Sequence, residues 1–244
     1  MNVTVRILGV WVLSGVALLA ADFWEEKDFT TWSDKEVEKM LTDSPWAKRV
    51  AVSIGGPGSG GGFSPFSREE NYQRASAARD GRARAGDDNI RGRGRGDGFA
   101  DGAPRVVLTV FWRSALPIKQ ALVRSQAGID APVPPAQRPF LIQQEPLYVV
   151  SISGIPTPFG EGLDREALLE RTTLERDDAD PIAAEDVEPF LVDDGTFILE
   201  FAFLRDDPVT LLDRNVEFVT ELGEVEIKRS FSVQEMMFGD ALAM

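Results

Sequence analysis

The chain has no cysteine and no histidine in its 244 residues. Disulfides, Cys/His zinc sites, haem ligation by histidine, thiol nucleophiles and every Ser-His-Asp arrangement are thereby excluded. The missing cysteines leave the redox compartment open, because an exported protein can lack disulfides altogether. Long apolar runs are also scarce. The one at the N-terminus, "ILGVWVLSGVALLAA" after Arg6, is shorter than the about twenty residues that span a bilayer and matches the apolar core of a signal peptide. Export is therefore expected, to the periplasm or the extracellular space. Residues 1–21 serve as the signal, or as a membrane anchor through residues 7–21 if they stay uncleaved, because cleavage after Ala20 or Ala21 puts a leucine where a small residue is preferred.

Basic residues are in deficit, and unevenly. The formal net charge is −14, distributed as −2 over residues 1–54, +1 over 55–104 and −13 over 105–244. An acidic body repels phosphate backbones and anionic lipid, so nucleic acid is not an expected partner. The middle stretch, 55–104, is rich in glycine and nearly devoid of large apolar residues between Phe66 and Phe99. It cannot bury a core and reads as a disordered Gly/Arg-rich spacer. A second Ser/Glu capping pair at Ser67 and Glu70 marks a short alanine-faced helix inside it.

What is present first is an explicit helix start in "FWEEKDFTTWSDKEVEKMLTDSPWAKRVAVSI". Ser33 with Glu36 three residues on makes a capping box, and Trp32 can staple against Val37. A helix is expected from Asp34, with Val37, Met40 and Leu41 as one apolar stripe and Asp43-Ser44-Pro45 as its stop. So short a helix is marginal alone. The stripe, with Trp24, Trp32 and Trp46, is expected to dock on a larger body; the three tryptophans are also candidate partner-binding residues. "RVAVSI" reads as a strand, which closes a helix-strand unit over residues 22–54.

"FWEEKDFTTWSDKEVEKMLTDSPWAK", "FWRSALPIKQAL" and "VEFVTELGEVEIKRSFSVQEMMFGDALAM" resemble segments of a family of uncharacterised, predicted-exported bacterial proteins. The resemblance covers about a third of the chain by these quoted segments. It implies export and a common fold and transfers no site residue.

From Arg105 the chain is β-rich. "RVVLTVFW" (105–112), "LYVVSISG" (147–154) and "GTFILEFAFL" (195–204) read as strands, and "VEFVTELGEVEIKRSF" as a hairpin about Leu222-Gly223. A helix is expected over Ser114 to Gln126, "APVPPAQRP" as an extended loop, "LDREALLERTTL" as helix passing into strand, and Ser232 with Glu235 as the cap of a last short helix. The expected fold class is mainly β, an antiparallel β-sandwich over 105–244 with short helical insertions, plus the N-terminal helix-strand unit.

Candidate chemistry competes in each case with a plain structural reading. Gly56, Gly58 and Gly61 fit G-x-G-x-x-G, but Pro65 interrupts the helix a dinucleotide site needs and no second strand ends in an acid, which favours a linker. Arg91, Arg93 and Arg95 are answered by Asp87, Asp88, Asp97 and Asp101, so little field remains for RNA, and Arg95-Gly96-Asp97 is a short match in a segment rich in all three residues. Asp177, Asp178, Asp180, Asp193, Asp194, Asp206 and Asp207 could supply oxygens to calcium; ordinary turn chemistry also explains them. Paired carboxylates could hydrolyse glycosides without histidine, but no spacing selects a pair. The leading expectation is an exported, cofactor-free binding or structural protein of the cell envelope, its partner a protein or glycan. The alternative is a secreted carboxylate-dependent hydrolase with or without Ca2+ stabilisation.

Overall fold

Alternating apolar residues write most of the strands directly. In the computed structural model, which describes residues 22–53, 105–128, 131–143, 145–157 and 162–244, β8 (Asn215–Leu222) buries Val216, Phe218, Thr220 and Leu222 and turns Glu217, Val219 and Glu221 the other way. That is the two-residue period of a strand with one covered face. The expected signal peptide, the Gly56/Gly58/Gly61 motif, the Ser67 helix, the Arg95-Gly96-Asp97 triplet and the 55–104 spacer lie outside the described residues.

Nine strands form one antiparallel sheet. They are β1 (Asp43–Ser44), β2 (Ala47–Ser53), β3 (Arg105–Trp112), β4 (Leu147–Pro156), β5 (Thr173–Arg176), β6 (Ile182–Leu191), β7 (Thr196–Leu204), β8 and β9 (Val225–Ser232), in the order β1-β2-β3-β4-β7-β6-β5-β8-β9. The sheet curls until β2 and β9, near its two ends, touch. The mainly β, antiparallel architecture is as the sequence indicates, and its two walls belong to one continuous sheet. A small hairpin, β10 (Met237–Phe238) with β11 (Ala241–Leu242), completes the strands.

The interior is built from cross-strand pairs that repeat from strand to strand. Val50 faces Leu108, Val110 faces Ile152, Val150 faces Phe201 and Phe201 faces Val187. Across the interior Trp112 meets Phe231 at 5.9 Å between ring centroids, and Phe201 meets Phe218 at 5.5 Å. These contacts tie one wall to the other and add edge-to-face and tilted aromatic packing to the buried area.

Residues 22–53 join this sheet through β2, which pairs with β3 from Ala47↔Phe111 to Ser53↔Arg105. The short helix α1 (Phe23–Glu26) and a 3-10 turn precede α2 (Asp34–Thr42), which starts after Ser33 with Glu36 accepting the Ser33 amide at 2.9 Å. α2 packs along α3 (Leu116–Ala127) and against β2 and β3. A Pro-led 3-10 turn and α4 (Arg138–Ile142) occupy much of the stretch read as extended loop, because Pro135 and Pro139 each sit at the start of a helical turn, where a missing amide is harmless. α5 (Arg165–Glu170) lies against β6 and β8.

One expected element is corrected. The helix after Ser232 is absent: Glu235 and Met236 donate to the carbonyls three residues back, and the chain then enters the β10–β11 hairpin, whose Ala243 amide returns to the Met236 carbonyl. A single turn closed at both sides by strand pairing has no room to lengthen. Among the described residues no helix is long and apolar enough to cross a membrane.

Candidate functional site

The seven candidate aspartates divide between opposite ends of the sheet. Asp193 and Asp194 lie in the β6–β7 turn, where Asp194 accepts from the Thr196 amide at 3.0 Å, an ordinary turn bond. The others gather at the end where β5 and β7 finish. There Arg176, at the last position of β5, has a side chain only 3% exposed. It donates to the Asp180 carbonyl at 2.6 Å and to the Asp207 carboxylate at 2.5 Å, with Asp213 at 3.9 Å. Asp177 accepts from Asn215 at 3.3 Å and Asp178 pairs with Arg214 at 3.7 Å. Asp206 is exposed. A guanidinium thus sits where a shared cation would have to sit. Among the described residues no group of three or more carboxylates could hold a metal ion. Arg176 was invisible as an organiser in the sequence, although its place in the strand, opposite buried Val216, marks it as inward-facing.

The tryptophans point inward. Trp24 is 6% exposed and Trp32 and Trp46 are fully buried, in one cluster with Val37 and Met40. Trp24 meets Trp46 edge-on at 5.9 Å, and the Trp46 indole donates to the Ala243 carbonyl at 2.7 Å. Arg124 of α3 donates to the Trp32 carbonyl at 3.3 Å. As partner-binding candidates these three are corrected: their surfaces are consumed by the chain's own core.

The outer face of the β4–β7–β6 wall differs from both. Glu188 and Glu200 stand directly opposite each other across β6 and β7, where Cβ atoms lie about 4.5–5.5 Å apart. Glu200 is ion-paired to Arg113 at 2.6 Å. Burial raises its carboxyl above the usual glutamate range, Arg113 opposes the rise, and Glu188 adds to it. On the same face, one pair further along, Phe190 lies opposite Ile198. Beside them β4 carries a bulge between Ile152 and Ile155, at Gly154, where φ is +84° and an added Cβ would lie 3.0 Å from the Val107 carbonyl. Only glycine lets β3 and β4 approach so closely there with that backbone. Val107, paired with exposed Ala51, is 57% exposed and Phe190 is 43% exposed.

The sequence pointed to neither feature. Glu188 and Phe190 lie in β6, whose "IAAEDVEPFL" has charges and Pro189 where a strand pattern expects apolar alternation. Pro189 is tolerated because the lower half of β6 pairs only with β7, β5 reaching no further than Ala183.

No family model, no curated protein and no solved structure matches the chain.

Proposed function

We propose that the chain is an exported, cofactor-free binding or structural protein of the cell envelope, and that it meets a protein partner through the outer sheet face around Gly154. The observation that carries this reading is the open apolar surface formed there: Ala51 and Val107 on one side of the bulge, Ile198 and Phe190 on the other. Elsewhere most large apolar side chains of the sheet are buried, with Leu191 and Leu204 exposed at strand ends. The exposed parts of Phe190 and Val107 stabilise nothing within the chain, and apolar groups held on paired strands are suited to burial by a partner. The apolar run after Arg6 and the resemblance of the quoted segments support export.

The hydrolase reading retains one observation of its own, the Glu188–Glu200 pair, whose strand geometry is compatible with the about 5–5.5 Å separation used by retaining glycosidases. Glu200 is largely covered and already ion-paired to Arg113, so only Glu188 of the two faces solvent, which favours the binding reading.

A photoreactive residue at Phe190 or Val107, installed in the full chain in its native cells, tests the proposal. The expected outcome is one shared crosslinked envelope protein from both positions and none from exposed Ser230 on the β9 wall. Crosslinks from Ser230 alone, or from none of the three, would overturn the surface. Retention in the cytoplasm would overturn export separately. Turnover of a glycoside that is abolished by Glu200→Gln would move the conclusion to the hydrolase.

A further inference from the structure

The lower half of β6, from Asp186 to Leu191, has β7 on one side and, among the described residues, no strand on the other, since β5 pairs no further than Ala183. Apolar side chains stand in water on both of its faces, Phe190 at 43% exposed and Leu191 at 66%. A strand edge of that composition is ordinarily a template for pairing with another chain.

The hydrogen-bond phase of the ladder fixes which groups that edge presents. The Val192 amide donates to the Thr196 carbonyl at 2.8 Å at the turn end of the β6–β7 hairpin, and the register runs unbroken from there through Phe190↔Ile198 and Glu188↔Glu200. Bonded pairs alternate with non-bonded ones along an antiparallel ladder. Glu188 and Phe190 therefore bond to β7, and Val187, Pro189 and Leu191 turn their main-chain groups away from it. Of these, Pro189 has no amide hydrogen. The Val187 amide is taken by the Asp186 carboxylate at 2.7 Å, and that carboxylate is itself held by Arg165 of α5. Leu191 alone keeps a donor for an incoming strand.

We infer that Pro189 and the Asp186 cap on Val187 close this edge to strand addition, and so keep the chain from pairing through β6 with a second copy of itself. A second copy is the occupant this edge would otherwise take, because the strand is self-complementary. Two-fold antiparallel pairing centred on residue 189 sets Val187 opposite Leu191 of the other copy, and sets Glu188 opposite Phe190 instead of opposite another glutamate. That register also puts proline against proline at the axis, where both bonds of the pair are missing and each ring meets the incoming carbonyl. The guard works without covering Phe190, so the side-chain face stays open while the main-chain edge does not. This inference goes beyond the partner surface proposed above and does not depend on it.

Sedimentation velocity on the purified full chain over a wide range of concentration, with amide exchange followed by NMR at Val187 and Leu191, tests it. In wild type the Leu191 amide should exchange fast at every concentration. Pro189→Val, a change at an exposed position, should self-associate as concentration rises, with Leu191 slowing at least about tenfold. Adding Asp186→Ala should strengthen that association. Asp186→Ala by itself keeps Pro189 in place, and should speed exchange of the Val187 amide severalfold, so the test survives if Pro189→Val disturbs the strand. Concentration-dependent protection of Leu191 in wild type, a Pro189→Val chain that folds but leaves Leu191 exchanging as in wild type, or unchanged Val187 exchange in Asp186→Ala would each overturn the inference.

Discussion

The tryptophan seam and the outer face around Gly154 are both built from aromatic and aliphatic side chains beside charged ones, yet they end in opposite states. In the seam, Trp24, Trp32 and Trp46 are closed over by α2, α3 and the C-terminal strands, and the Trp32 and Trp46 indoles donate to backbone carbonyls. On the outer face, Phe190 and Val107 remain in water, and Glu188 faces Glu200 in a like-charge pair. The seam is therefore where the sequence invests in stability. The outer face carries local features that stability alone would remove, which is what makes it the better candidate for function.

The comparison breaks most visibly on the seam side. Trp32→Ala should destabilise by about 3–5 kcal/mol, the range for truncating a fully buried aromatic; a midpoint in urea unchanged from wild type would mean that the N-terminal unit does not pack as described. Met40→Ala should cost more than Leu41→Ala, because Met40 is fully buried and Leu41 only half-buried; Leu41→Ala is expected near the lower end, about 2 kcal/mol. Arg176→Gln should cost about 1.5–3 kcal/mol, since it strips charged hydrogen bonds from Asp207 and leaves the buried Asp213 without its counter-charge. Guanidinium unfolding would reveal a smaller loss if the Asp-rich loops hold themselves together.

Acid should separate the two regions with opposite signs. Glu36, in the capping box below the seam, is lowered to about 2 by Lys27 and by the Ser33 amide and hydroxyl. Its contribution is present above the unfolded-state value and is lost as pH falls through the folded one. Glu200 is raised by burial, so the fold binds its proton more tightly than the unfolded chain does; that contribution is present in acid and is lost as pH rises through the folded value. Glu217 behaves as Glu200 does, through burial and then Glu175. Glu200→Gln should flatten the decline above the ordinary glutamate range, and Glu36→Gln should flatten the decline below it, both read from urea midpoints across pH. At neutral pH Glu188→Gln should stabilise by about 0.2–1 kcal/mol by removing a like-charge pair. Phe190→Ser should cost about 1 kcal/mol, well short of Trp32→Ala, because Phe190 is 43% exposed and only partly covered. A loss comparable to Trp32→Ala would place Phe190 in the core.

Legibility in the sequence followed locality. The Ser33–Glu36 box announced α2 to the residue, the apolar run at 105–112 gave β3, and Leu222-Gly223 marked the β8–β9 turn, where Gly223 has φ +64°. Each depends on neighbours a few positions apart. β6 was missed because its strand character comes from pairing with β7, which overrides Pro189 and the local charges. The last helix was expected because Ser232 and Glu235 have capping spacing, and the β10–β11 hairpin displaced it. The functional features were the least legible. The Glu188–Glu200 pair and the Gly154 contact with Val107 depend on the register between neighbouring strands, which no local pattern of either strand states.

β2 belongs to the same cooperative body as β3, although about fifty residues separate them in the chain. Native-state hydrogen exchange measures this directly. The amides of Val50 and Val52 should exchange with the same opening free energy as those of Leu108 and Val110, and all four should lose protection together in Trp32→Ala. Protection confined to β3, with the β2 amides exchanging as fast as an unpaired strand, would contradict it.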